Sequence, residues 1–268
     1  MPYIRSRRLQ AEQAAQGASN VLWQQVISLN SDKAYELLAG GSIGHPQATI
    51  SPGLVRRLWL WGELTVFFVG VPLLMRWIIH DLHVPLVLVL QPILLGFVIY
   101  LLWDDTFHVR RELLQGFRPR HLAWISLMFL VLGGAIAFAT SHIYPERFLG
   151  LPTRNPEFWL LLLLLYPLLS VIPQELAYRT FFFHRYGPLF GTARWAAVIT
   201  NGVLFGFSHV IFNNWIAVAG SAVIGVVIAY RYWMTRSFWA AWLEHSLYGC
   251  LIFTVGLGMF FFTGVSNF

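Results

Sequence analysis

Charge is what this 268-residue chain has least of: Asp, Glu, Lys and Arg make up 11% of it, against 57% hydrophobic residues. A soluble domain carries about 25% charge, and here the apolar residues come in long blocks, so an ordinary soluble fold is excluded and a multi-spanning membrane protein is expected. Cysteine is almost missing. The single Cys250 rules out an intrachain disulfide and any Cys-based metal cluster, and inside an apolar segment it reads as a small core residue. The first 30 residues hold no apolar stretch of the signal-peptide kind, so insertion is expected to begin at an internal span. The helical zincin signature H-E-x-x-H is absent, which removes that class of metalloprotease. Acidic residues are few, 12 against 18 basic ones, giving a net charge of +6. The basic surplus falls in particular connecting loops and not on one continuous face, so it argues against a nucleic-acid partner and for a membrane topology.

What is present is seven apolar runs, at about 58–75, 84–103, 121–142, 157–174, 195–212, 215–233 and 237–257. Each approaches the roughly 20 residues a bilayer-crossing helix needs. The fold class is therefore all-α, a polytopic transmembrane helix bundle of about seven spans. Residues 1–54 are polar and read as a weakly ordered or interfacial segment, followed by a transmembrane helical domain at 55–268. Pro72, Pro85, Pro92 and Pro167 do not oppose helices here, because spanning helices tolerate proline as a kink. Tryptophans such as Trp59, Trp77, Trp103 and Trp215 sit at the edges of the runs, as an interfacial aromatic belt requires. On the seven-span list 15 of the 18 basic residues share the side of the N-terminus, and only Arg76, Arg147 and Arg154 fall on the other. That asymmetry predicts a cytoplasmic N-terminus and an outer C-terminus in the cell's inner membrane.

The fourth run ends in P-Q-E-L-A-Y-R, Pro173 to Arg179, so that Glu175 and Arg179 stand at i and i+4 on one helix face beside hydrocarbon-loving sequence. Ionisable groups at membrane depth usually face a bundle interior or a wet cavity and mark a site. The fifth run carries Phe205 and His209 one turn apart, with Asn213 one turn later, and the seventh carries Glu244, His245 and Tyr248. Two imidazoles and a carboxylate, His209, His245 and Glu175, can hold a zinc ion with an open water position, or can activate water directly. Either device suits hydrolysis. Along straight helices the two histidines lie at different depths, so a single site requires tilt, a broken helix or a re-entrant turn. Glu63 reads as a paired or interfacial carboxylate, and Asp104-Asp105 and Arg110-Arg111 as solvated loop charges.

Three motifs in this order resemble the CPBP group of membrane proteins, which comprises type II CAAX prenyl endopeptidases and bacteriocin-processing or immunity proteins. The group's pattern is E-E-x-x-x-R, then F-x-x-x-H, then H-x-x-x-N. The chain reads Q-E-L-A-Y-R at Gln174 to Arg179, F-G-F-S-H at Phe205 to His209 and H-S-L-Y-G at His245 to Gly249, within a core of about residues 156–258. The resemblance implies an intramembrane endopeptidase acting on a membrane-associated protein or peptide, with His209, His245, Glu175 and Arg179 in the motif roles. Gln174 replaces the first glutamate, and an amide cannot accept a proton from water. Gly249 replaces the asparagine associated with the oxyanion. A variant site would then draw its base from Glu175 or Glu244 and its amide from Asn213. The competing expectations are a non-catalytic membrane scaffold or immunity-type protein and, behind it, a proton-coupled transporter.

Overall fold

The computed structural model describes residues 53–104, 106–114 and 116–263, so the expectation for residues 1–54 falls almost wholly outside the described residues. Every one of the seven apolar runs is helical, and no strand occurs among the described residues. The long helices are α1 (Leu54–His80), α2 (Leu86–Trp103), α3 (Pro119–Ile143), α4 (Pro156–Arg185), α5 (Arg194–Phe212), α6 (Trp215–Thr235) and α7 (Phe238–Val255). Five of them, α1 and α3 to α6, are long and apolar enough to cross a membrane. That makes an all-helical membrane protein. The expected count of seven is met in helices but not in spans of that quality: α2 is a shorter apolar helix, and α7 carries Glu244, His245 and Ser246, which lower its hydropathy.

The helix that positions the site is α4, and it runs farther than its apolar stretch. Asn155 caps it by accepting a hydrogen bond from the Phe158 amide (3.1 Å), with Pro156 at the first helical position, where its missing N–H costs nothing. Two interior stretches, Pro167–Val171 and Leu176–Phe181, widen into π-helix. Pro167 cannot donate to the Leu163 carbonyl, which instead faces the Cys250 thiol of α7 at 3.9 Å; the Pro167 carbonyl receives the Trp242 indole N–H at 2.8 Å. Side chains of α7 thus take up backbone groups in the region that proline and the π-turns disturb. Cys250, expected as a core residue, is half-buried in that role.

Helices α5 and α6 pack backbone to backbone. A Cβ on Gly202 would overlap Val226, and one on Gly206 would overlap Ala222, so this G-x-x-x-G pair lets the two helices approach as small residues do in membranes. Asn214 starts α6 by accepting from the Ala217 amide (2.8 Å), and Ser237 starts α7 by accepting from Ala240 (3.2 Å). Around them the core is aromatic: Phe68 of α1 meets Tyr178, Phe182 and Tyr186 edge to face at 5.0, 5.6 and 5.9 Å. Helix α3 is the outlier, with 11% of its apolar window buried against 39% for α5, and it touches α7 through Phe129 and Tyr248. Most of its apolar surface is left for lipid.

Candidate functional site

Helix α5 does not continue straight through His209. Its α-helical part closes at Ser208 and gives way to a 3-10 turn, His209–Phe212, before Asn213 adopts a left-handed conformation (φ 55°). This broken end, together with the π-turns of α4, supplies the irregular backbone that the differing depths of the histidines required. π-Turns inside helices are frequently found at functional sites.

Glu175 and Arg179 pair as expected, Oε2 to Nε at 3.4 Å, and both side chains are fully buried. Glu175 Oε1 lies 2.8 Å from His245 Nδ1 of α7. A carboxylate accepts, so in the neutral ring the proton sits on Nδ1, and Nε2 is left to accept from the Tyr166 hydroxyl at 3.3 Å. The Arg179 Nη1 donates to Asn201 Oδ1 at 2.6 Å, and its guanidinium carbon lies 4.8 Å from the centre of the Phe205 ring. The Asn201 amide in turn donates to the Tyr178 carbonyl. His209 and His245 stand against the same Phe205 ring, at 4.9 and 5.3 Å between centroids. Glu175, Arg179, Phe205, His209 and His245 therefore belong to one constellation drawn from α4, α5 and α7.

His209 turns its Nδ1 to the Phe205 carbonyl at 2.9 Å, which makes Nδ1 the donor and leaves Nε2 with a lone pair. The residue lines a mostly apolar pocket between α1, α2, α4 and α5, of about 780 Å³ counting its open mouth. Gln174 and Ser170 line the same pocket, and the Gln174 amide donates to the Ser170 carbonyl (3.0 Å) and hydroxyl (2.8 Å). Gln174 is thereby oriented with its donors engaged, which leaves its carbonyl oxygen as the acceptor.

Three expected members are engaged elsewhere. Glu244, fully buried, binds Arg231 of α6 through Nε–Oε2 at 2.8 Å. Asn213 accepts from Arg76 of α1 at 2.6 Å, beyond the broken end of α5, where it helps tie that end to α1. Tyr248 is buried against Phe129. The reason is helical phase: Glu244 and His245 are adjacent and so about 100° apart around α7, which sends one to α6 and the other to α4.

Sequence reasoning missed Asn201, Tyr166 and the partnership of Arg231. Asn201 was within reach, since Asn201, Phe205 and His209 form one i, i+4, i+8 stripe. Arg231 enters the sequence reading only as one of the 15 basic residues on the side of the N-terminus. Nothing in the spacing singled out Tyr166, whose approach to α7 depends on the space above Gly249.

The proposed metal set does not assemble. His245 has both ring nitrogens occupied and Glu175 is shared between an imidazole and a guanidinium, which leaves Nε2 of His209 as the one uncommitted donor of the three. Among the described residues no three His, Cys, Asp or Glu side chains group as a metal ion would require. In this arrangement the donor set does not fit zinc.

A helical membrane protein with a charged, imidazole-bearing site closed between three helices is the class that fold and geometry define. Within it, residues 155–251 match the family model described as type II CAAX prenyl endopeptidase Rce1-like. The match takes in α4, α5, α6 and most of α7, which include every element of the constellation. No curated protein and no solved structure matches the chain.

Proposed function

We propose that the protein is an intramembrane endopeptidase that hydrolyses a peptide bond in a membrane-associated, CAAX-type protein or peptide, with water activated at His209. The observation that carries this reading is His209 on the wall of the pocket with its Nδ1 committed to the Phe205 carbonyl, an arrangement that in the neutral ring leaves the lone pair on Nε2. Hydrolysis needs a base for the water and an acid for the departing amine. Gln174 cannot be the base, and Glu175 is held by His245 and Arg179. His209 Nε2 takes the water proton while the water oxygen bonds to the peptide carbonyl carbon. The C–N bond then breaks, and the same nitrogen returns the proton to the leaving amine. The Gln174 carbonyl oxygen accepts from the second water hydrogen and so aims the lone pair. The imidazolium so formed on His209 is held through Nδ1–H by the Phe205 carbonyl. The apolar wall of Phe67, Val71, Met75, Leu90 and Phe97 suits a hydrophobic side chain or lipid modification next to the scissile bond.

The setting proposed is the inner membrane, N-terminus in the cytoplasm, where the basic residues cluster. A second reading, a non-catalytic binding protein on the same fold, draws support from Gln174 and from the firm engagement of Glu175. Mass spectrometry of membrane peptides in vesicles holding the wild type or His209→Ala separates the two. Endopeptidase action predicts fragments with the wild type that fall by about two to four orders of magnitude in the variant and persist with a divalent-cation chelator. An identical peptide pattern in both sinks the hydrolytic reading.

A further inference from the structure

Gly249 stands one turn beyond His245, where the three-motif pattern has an amide. The space is not vacant. A Cβ built at Gly249 would overlap Cε1, Cζ and the hydroxyl of Tyr166, so the phenol from α4 occupies the volume that any side chain at this position would need. The ring is held edge-on to Phe253 at 5.3 Å and to His245 at 6.3 Å. Its hydroxyl lies 3.3 Å from His245 Nε2, on the opposite edge of the imidazole from Glu175.

We infer that Tyr166 is a positioning residue which, from α4, holds the Nε2 edge of His245 through the space that Gly249 leaves open on α7. The two positions form a pair: glycine admits the tyrosine, and the tyrosine reaches the histidine. A carboxylate accepting at Nδ1–H and a hydroxyl donating to Nε2 leave the imidazole one tautomer and one orientation. His245 in that tautomer stays unprotonated at Nε2 and fixed against Phe205. The inference rests on the endopeptidase reading only for its kinetic consequence. Its geometric content stands without that reading.

The test uses the full-length chain in lipid nanodiscs with ¹⁵N-labelled histidine, the His245 signals being assigned by their loss in His245→Gln. The wild type is expected to show Nδ1–H and a hydrogen-bonded, unprotonated Nε2. Tyr166→Phe, which keeps the ring packing, should move the Nε2 resonance to its unbonded position and leave His209 unchanged. Gly249→Asn alone should lower the thermal midpoint through the clash with Tyr166. Tyr166→Ala combined with Gly249→Asn should recover that midpoint and restore a bonded Nε2. In a cleavage assay Tyr166→Phe should lower kcat about tenfold with KM unchanged, the size of one lost hydrogen bond, and the double variant should regain most of it. An unchanged Nε2 resonance in Tyr166→Phe overturns the inference, as does Gly249→Asn being tolerated equally well with and without Tyr166. A wild type without peptidase activity overturns the proposed function and leaves the spectroscopic and thermal arms to decide this pair.

Discussion

Two carboxylate–arginine pairs can be set side by side. Glu63 of α1 receives Arg185 of α4 in a fork, at 2.9 and 2.8 Å, with Tyr186 and the Trp59 indole adding bonds of 3.0 Å each. Its side chain and that of Arg185 are 11% and 27% exposed, so water reaches whatever the protein leaves over. Glu175 and Arg179 are wholly buried, meet at 3.4 Å, and leave Glu175 Oε2 and Arg179 Nε and Nη2 without a hydrogen bond. The first pair looks like a joint between two helices. The second is an expensive arrangement for mere cohesion, because buried polar atoms that lack a partner cost about 1–3 kcal/mol each. Charge kept at that cost in a membrane interior is better understood as serving the imidazole it holds.

The largest effect should come from breaking the second pair. Arg179→Leu strands a buried carboxylate and removes the donor to Asn201, and about 3–5 kcal/mol of stability should be lost. Thermal unfolding in detergent micelles or nanodiscs measures it. Replacing both members, Glu175→Leu with Arg179→Met, should recover much of that loss, since buried pairs often yield without cost to apolar residues of similar size. The double variant should nevertheless leave His245 without its carboxylate and cleave no substrate. If the double variant kept wild-type cleavage, the pair would be structural after all, and the contrast with Glu63 would vanish.

A smaller effect is expected at the first pair. Glu63→Gln keeps the shape and one acceptor, so about 1–2 kcal/mol should go, the size of a charge-assisted hydrogen bond partly replaced by water. Cleavage rates should not change, because Glu63 lines no part of the pocket that holds His209. A loss of activity without a loss of stability would contradict the division of labour between the two pairs.

Much of the constellation was legible in the sequence because membrane burial makes polar residues conspicuous. Glu175, Arg179, His209 and His245 stand out in apolar runs, and the i+4 rule placed the first two on one face. Legibility ended where contacts depend on backbone irregularity. Asn213 was expected on the stripe of His209, but the helix breaks at that histidine and delivers Asn213 to Arg76 instead. Tyr166 was invisible because its contact depends on the space left by a glycine 83 positions later in the chain, which no spacing along the sequence connects to it. The helix count followed the apolar blocks well. Span quality did not, since the helix that carries His245 and Glu244 is less apolar for that reason. Glu63 met its expectation as a paired carboxylate, whereas Asp104, read as a solvated loop charge, turned out to be bonded.

That last carboxylate extends the comparison to a third, weaker pair and to the smallest effect. Asp104 caps the end of α2, where it accepts from the Thr106 amide (2.9 Å) and hydroxyl (2.6 Å) and meets His184 Nε2 of α4 at 3.1 Å. Partial burial pushes its carboxyl up, but the Thr106 bonds and the His184 imidazole outweigh that and hold it below the usual carboxylate range. A depressed folded-state value means that the ionised form is the one the fold favours. Its contribution is complete above the unfolded value, about 4, and is lost as pH falls through the lower folded value. Stability measured from pH 6 down to pH 3 should therefore decline more steeply in the wild type than in Asp104→Asn. The difference should stay under about 1 kcal/mol, as near-surface pairs allow. Parallel pH curves for the two proteins would mean that the α2–α4 contact is held by packing of Phe107 on His184 (5.4 Å between ring centres) and owes nothing to charge.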